Sequence, residues 1–341
     1  MAPQLPLFPE APVPVPRPTP RDAPGTPERV ALLPPVQADT SLAAAATAFD
    51  EHLVRDGKTD NTRRAFASDL RLLAERLGSG RSVGAISVDD LQQFLTWMLE
   101  YRAQPCSDKT YARRVTTLKV FFGWLHDIGA IGRDPSRPLV HRRAVLPLPL
   151  VLTDDEVARL LASAQAVRSR RDAPDPRPAL LVRLLLDTGL KKGELARLNV
   201  GDVDAGPDEP VPSLLVRYDE SPRWKDKARR VTLSPHALGL LDEYTAHYQA
   251  SGRLFACTPR NLEYVLEDLV AAAGLPPKTS FETLRWTSAL RAWRSGMLPE
   301  DLRERLGLSP VTWADTKRKL ELLAATVGPE RGVGAWFGEL A

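Results

Sequence analysis

Cysteine is nearly absent from this chain, with only Cys106 and Cys257 among 341 residues. Two distant thiols make neither a disulfide framework nor a zinc-ligand pattern; they fit packing residues in a reducing cytoplasm. No apolar run is long enough to span a bilayer and no secretory signal opens the chain, so no membrane partner is expected. Charge of either sign is in short excess: the formal net charge is +3, too little to announce a nucleic-acid partner by itself. No cofactor or metal motif is present. The last tyrosine is Tyr264 and the last histidine His247, so the C-terminal stretch has neither a phenol nor an imidazole.

The length suggests two domains plus extras, at roughly 100–200 residues each. Residues 1–40 hold twelve of the 31 prolines and one aromatic, Phe8. Such a segment buries too little apolar surface to offset its ordering entropy and is expected to be disordered or polyproline-like. Four amphipathic helices follow over 41–132. Their inward faces are expected to carry Leu42, Ala46, Phe49 and Leu53; then Phe66, Leu70, Leu73 and Leu77; then Leu91, Leu95 and Met98; then Tyr111, Val115, Leu118, Phe122 and Leu125. A Pro- and Arg-rich linker spans 133–149. From Ser107 to Arg143, eight Lys/Arg face three Asp, a local basic surplus that a solvated face would also produce.

The second domain, 150–326, opens with Leu152-Thr153-Asp154-Asp155-Glu156, a capped helix start. A helix through Leu180–Asp187 stops at Thr188-Gly189. Leu214–Tyr218 and Arg230–Leu233 read as two strands, and helices start near Ser234, Thr258, Phe281, Pro299 and Ser309. Residues 327–341 form a tail whose apolar Ala335–Leu340 segment could pack on its own domain or on a neighbour.

Two stretches in the second half carry a resemblance. Thr279-Ser280-Phe281-Glu282-Thr283-Leu284-Arg285 begins a helix; about twenty residues on comes Leu306-Gly307-Leu308-Ser309, then Lys317. The layout resembles the C-terminal box of tyrosine recombinases (phage-type integrases and chromosome-dimer resolvases): H-x-L-R, a spacer, L-G-H-S, and a tyrosine nine residues after that histidine. Thr188-Gly189-Leu190-Lys191-Lys192-Gly193-Glu194-Leu195 is similar to the family's T-G-L-R-x-x-E-L segment, and Lys225–Leu233 to its K-G-x-K-x-R-x-V-x-L hairpin. The four helices, with Thr62-Arg63-Arg64 and Thr110–Arg114, resemble its core-binding domain. The resemblance implies a mainly α fold: an N-terminal four-helix core-binding (SAM-like) domain, then a mostly helical integrase catalytic-type domain with a small β-sheet.

In that family a tyrosine oxygen attacks a DNA phosphodiester, two arginines clamp the phosphate, and a hairpin lysine protonates the leaving oxygen. The corresponding positions here hold Lys191, Lys225, Glu282, Arg285, Leu308 and Lys317. Lysine at 191 keeps a charge without the two-pronged fork. Glu282 and Leu308 replace both histidines: a carboxylate repels phosphate and a leucine cannot hydrogen-bond. Lys317 replaces the nucleophile, which removes the covalent route. Losing one preorganised donor typically costs about 10²–10³ in rate. Thr316 is the nearest hydroxyl and lacks an evident base.

The expected function is therefore duplex-DNA binding without cleavage. Phosphate contacts are assigned to Arg63, Arg64, Lys109, Arg113, Arg114 and Lys119, expected off the buried helix faces, and to Lys191, Lys225, Lys227 and Arg285. Two alternatives stand: a working recombinase using Thr316 or a tyrosine in trans, and a protein-interaction module without DNA binding. Homo-oligomers or a recombinase partner are possible companions, and the expected setting is the cytoplasm, at the nucleoid. Gln4-Leu5-Pro6-Leu7-Phe8 resembles the Q-L-x-L-F peptide that grips the replicative sliding clamp, with Gln4 for a pocket rim and Leu5, Leu7 and Phe8 for apolar pockets.

Overall fold

The computed structural model describes residues 36–141, 147–205, 211–218 and 227–326. The chain divides into two compact units between Leu146 and Pro147.

In the first unit each helix begins at a hydroxyl cap. Ser41 opens α1 (Leu42–Arg55), Thr59 opens α2 (Asp60–Leu77), and Ser107 opens α4 (Asp108–Asp127). Ser87 and Asp90 form a reciprocal capping box on α3 (Val88–Thr96). That helix runs on as one π-helical turn, Trp97–Tyr101, which the sequence did not suggest. All the inward residues expected of the third and fourth helices are buried, whereas Ala46, Phe66 and Leu77 are only partly so. Phe49, Phe121 and Trp124 make an aromatic centre, with Phe49 edge-on to Phe121 at 5.3 Å. Leu139, expected in the linker, packs into this same core.

The second unit is built around α6 (Arg177–Thr188), whose residues Pro178 to Val182, with Leu184 and Leu185, are buried. Near-continuous burial explains its apolar run without a polar stripe. Against it lie α5 (Asp154–Arg168), α8 (Pro235–Tyr248), α9 (Pro259–Ala272) and α10 (Phe281–Arg294). The sheet has three antiparallel strands among the described residues, β1 (Val203–Asp204), β2 (Ser213–Val216) and β3 (Arg229–Thr232), in that order. β1 was not foreseen; two residues are too few to show an alternation. A single-turn α7 (Lys192–Leu195) precedes the sheet. α11 (Pro299–Arg305) and α12 (Pro310–Thr326) close the unit, burying Leu302, Trp313, Leu320 and Leu323 against Ala289 and Leu290 of α10. No described helix is long and apolar enough to cross a membrane.

Candidate nucleic-acid interface

The candidate site of the second unit forms where α6 ends. Gly189 adopts φ +64°, and a Cβ there would meet Leu306 Cδ2 at 3.1 Å and Ser288 Oγ at 3.3 Å. The glycine thus permits both the left-handed turn and the close approach of the α11–α12 connection. The turn delivers Lys191 and, one helical turn on, Glu194.

Glu194 is buried and saturated. Its carboxylate accepts from Arg229 Nη1 at 3.1 Å and Nη2 at 3.0 Å, from Lys191 N–H at 2.9 Å, and from the Tyr218 hydroxyl. Burial alone would raise its pKa, but the Arg229 hydrogen bonds and charge, with Tyr218 and Lys191, outweigh it and hold the group at about 2. Tyr218 shows the converse: burial, then its bond to Glu194, pushes the phenol up to about 12. Arg229 also donates through Nε to the Arg305 carbonyl at 2.7 Å.

Two further guanidiniums brace the same connection. Arg285 is 6 % exposed and donates to the carbonyls of Gly189 and, at 2.7 Å, Leu306. Burial lowers its pKa, opposed by Glu194 and Glu282. Arg305 donates to the Asp187 carbonyl and to Ser288 Oγ at 3.2 Å. Arg285, Arg229 and Arg305 therefore tie the segment 305–307 to α6 and β3. Gly307, at φ +59°, lies so close to Arg229 that an added Cβ would meet Nη1 at 2.7 Å.

Around this brace stand the positions singled out by sequence. Lys191 is half-buried, and burial lowers its pKa, with Glu194 opposing and Arg285, Lys227 and Arg229 adding to the fall. Among the described residues it has no salt-bridge partner. Lys191 and Glu282 share the wall of a cavity of about 300 Å³ with Lys192, Glu263 and Glu267. Lys192 is paired with Glu263 at 2.6 Å. Glu282 is exposed and accepts from Trp286 Nε1 at 2.9 Å. Leu308 is half-buried against the α10–α12 cluster. Lys317 is half-buried on α12. Thr316, its neighbour, is 8 % exposed and its hydroxyl donates to the Thr312 carbonyl at 2.9 Å. Lys227 borders β3, while Lys225 lies outside the described residues, as do Gln4, Leu5, Leu7 and Phe8. Glu194, Arg229 and Arg305 were given no role from sequence. Glu194 and Arg229 sit inside the quoted motifs, but nothing local shows that they meet.

In the first unit the basic residues divide. Arg64 and Lys109 are exposed, and Lys119 is half-buried with Nζ 3.4 Å from the Arg137 carbonyl. Arg63 is paired with Asp50 at 2.5 Å and with Asp60 at 3.1 Å. Arg114 does not lie off the buried face as expected: it is 5 % exposed and donates through Nε to Asp69 at 3.3 Å. Asp69, itself 2 % exposed, also accepts from Arg113 and from Thr117 Oγ1 at 2.8 Å. A carboxylate buried on α2 draws in a guanidinium from α4, because an unpaired buried charge would cost several kcal/mol, about 3–5 where one partner is removed. Among the described residues no group of three or more His, Cys, Asp or Glu could hold a metal ion.

The fold is shared with known recombinases. Residues 46–129 match the model of the phage integrase N-terminal SAM-like domain, and residues 151–314 that of the phage integrase family. Tyrosine recombinase XerC of Mycobacterium leprae (strain TN) is 34% identical over 158 residues, covering 46% of this chain and 52% of the relative. XerC of Mycobacterium tuberculosis (strain CDC 1551 / Oshkosh) is 34% identical over 160 residues, covering 46% of this chain and 53% of the relative. The chain thus spans about half the length of the curated relatives it matches. A solved lambda integrase dimer bound to a COC' core site shares the fold at TM-score 0.63 and 16% identity, over 82% of this chain and 78% of that one. With one family model on each of its two units, the chain belongs to the phage integrase family of tyrosine recombinases.

Proposed function

We propose that this chain binds duplex DNA and does not cut it. The observation that carries the reading is the state of the three positions where the family box has His, His and Tyr. Glu282 is engaged with Trp286, Leu308 packs on an apolar cluster, and Lys317 is an amine. None of the three supplies an imidazole or a phenol, so no phosphotyrosyl bond can form there. Thr316 is a poor substitute, because its buried hydroxyl is already donated to a backbone carbonyl of its own helix.

DNA affinity in this reading comes from cations that remain accessible: Arg64, Lys109 and Lys119 in the first unit, and Lys191, Lys227 and Lys317 in the second. Arg285 holds the box in place from beneath rather than gripping phosphate through all its donors. The solved lambda integrase bound to its core site, a DNA complex by name, supports the assignment of DNA as partner. The same relative, a dimer, supports association with a second copy or with a partner recombinase.

A DNA duplex carrying a nick beside the cleavage position tests this. Protein and labelled DNA are run on a native gel for binding and on a denaturing gel for covalent capture. A salt-sensitive native shift without a denaturing-stable adduct is expected; an adduct establishes a working recombinase. No shift at low salt leaves the fold as a protein-interaction module. Clamp binding through Gln4, Leu5, Leu7 and Phe8 is proposed separately. A pull-down with the Gln4→Ala/Phe8→Ala variant checks it: equal clamp recovery removes the idea.

A further inference from the structure

The cavity at the α6–α7 turn holds one group that DNA binding uses only as a charge, the amine of Lys191. Two consecutive lysines line it, in different surroundings. Lys192 is paired with Glu263 at 2.6 Å, which keeps it an ammonium. Lys191 has no such partner among the described residues. The nearby Glu194 spends its carboxylate on Arg229, on Tyr218 and on the Lys191 backbone N–H at 2.9 Å, not on the amine. Burial depresses the pKa of the amine; Glu194 opposes this, and the charges of Arg285, Lys227 and Arg229 add to the fall. A lysine desolvated beside other cations is the setting in which an amine attacks carbonyl carbon.

The rest of the wall suits that chemistry. Leu266 and Phe281, both buried, give an apolar lining on which a sugar can lie. Glu282 shares the wall with Lys191. Its Oε1 accepts from Trp286 Nε1 at 2.9 Å, and its other oxygen has no hydrogen bond among the described residues. One cavity therefore presents an unpaired amine and a carboxylate oxygen able to accept a proton.

The identity of the carbonyl rests on the DNA-binding reading. Intact deoxyribose has no free carbonyl. An abasic site has one, because its sugar opens to an aldehyde at C1′. Damaged nucleotides also leave the stack at the least cost. We propose that this cavity is an abasic-site lyase centre, in which the Lys191 amine forms an imine with the C1′ aldehyde and Glu282 takes the proton for elimination.

The neutral amine adds to C1′, and the adduct loses water to leave a C=N bond. Glu282 then removes a C2′ proton. The freed electron pair makes the C2′=C3′ bond as the C3′–O bond breaks, and the 3′ phosphate departs with the electrons of that bond. Water hydrolyses the imine, which returns the amine and releases an unsaturated aldehyde. The route needs no tyrosine. Undamaged DNA offers no aldehyde and stays uncut.

Borohydride reduces such an imine to a secondary amine that survives denaturation. The full chain is mixed with a labelled duplex carrying one abasic site, with or without borohydride, and run on native and denaturing gels. A tetrahydrofuran site, which lacks the aldehyde, is the control duplex. Wild type is expected to shift both duplexes and to trap only the abasic one, with the adduct mapping to Lys191 by mass spectrometry. At concentrations giving equal native shift, Lys191→Arg is expected to give no adduct. Lys278→Ala, at an exposed lysine outside the cavity, is expected to trap like wild type. Glu282→Gln is expected to trap still, while strand scission without borohydride falls about 10²-fold. A native shift without an adduct, an undiminished adduct in Lys191→Arg, or unchanged scission in Glu282→Gln overturns the proposal and leaves DNA binding standing. Absence of any native shift removes the DNA-binding reading itself, and the lyase centre with it.

Discussion

Glu194 and Arg229 form a two-pronged ion pair with side chains 1% and 8% exposed, and Arg229 passes the constraint on to the Arg305 carbonyl. The pair joins α7 to β3 and, through Arg305, to the segment 305–307. Removing one partner strands the other's charge in the interior. Glu194→Ala is expected to destabilise the second unit by about 3–5 kcal/mol, read by urea unfolding. Exposed Arg64→Ala, by contrast, should stay within about 0.5 kcal/mol.

The same pair sets a pH dependence. The Glu194 pKa is depressed in the fold to about 2 from 4.5, so its contribution is present above the unfolded value and is lost as pH falls from 4.5 toward 2. Thermal unfolding of wild type and Glu194→Gln is expected to differ most above pH 4.5. The gap should narrow steadily through that window. A gap that is constant with pH would show that Glu194 ionises in the fold as it does unfolded.

Gly307 offers a backbone test of the brace. Its φ of +59° disfavours a side chain, and an added Cβ falls 2.7 Å from Arg229 Nη1. Gly307→Ala is expected to cost more than about 1 kcal/mol, and to be partly relieved in a Gly307→Ala/Arg229→Ala background, as a double-mutant cycle would measure.

Lys191 and Arg285 should separate binding from stability. Lys191→Ala removes a half-buried amine that has no salt bridge among the described residues, so DNA affinity is expected to fall while the unfolding midpoint barely moves. Arg285→Ala leaves the Gly189 and Leu306 carbonyls without their donor and is expected to lower stability by about 1–3 kcal/mol. Fluorescence-anisotropy titration and urea melts on both variants provide the check.

The accessible cations also fix a salt dependence. If Arg64, Lys109, Lys119, Lys191, Lys227 and Lys317 each neutralise a phosphate, log K should fall with log salt at a slope of about −5. Arg114→Ala, which empties a buried position, should disturb folding of the first unit more than it changes that slope.

Local patterns made the helices legible. Ser87 with Asp90 and Thr153 with Glu156 announce their own helix starts, and Tyr111, Val115, Leu118, Phe122 and Leu125 announce one face. Partnerships across long sequence separations were not legible. Arg114 looks like a surface cation because its partner Asp69 lies on another helix. Arg305 reads as a basic residue at a helix end until Asp187 is beside it. The π-helical turn was hidden too, because Trp97-Met98-Leu99 continues the apolar pattern of α3. Of the candidate site, the segments that form its frame were readable; the fact that three arginines are spent holding that frame together was not.

The measurement closest to the central claim is covalent capture on a nicked duplex, resolved on a denaturing gel beside a native shift of the same sample. The account predicts a band that moves on the native gel and releases all labelled DNA on denaturation. Labelled DNA that stays joined to the protein after denaturation would contradict it.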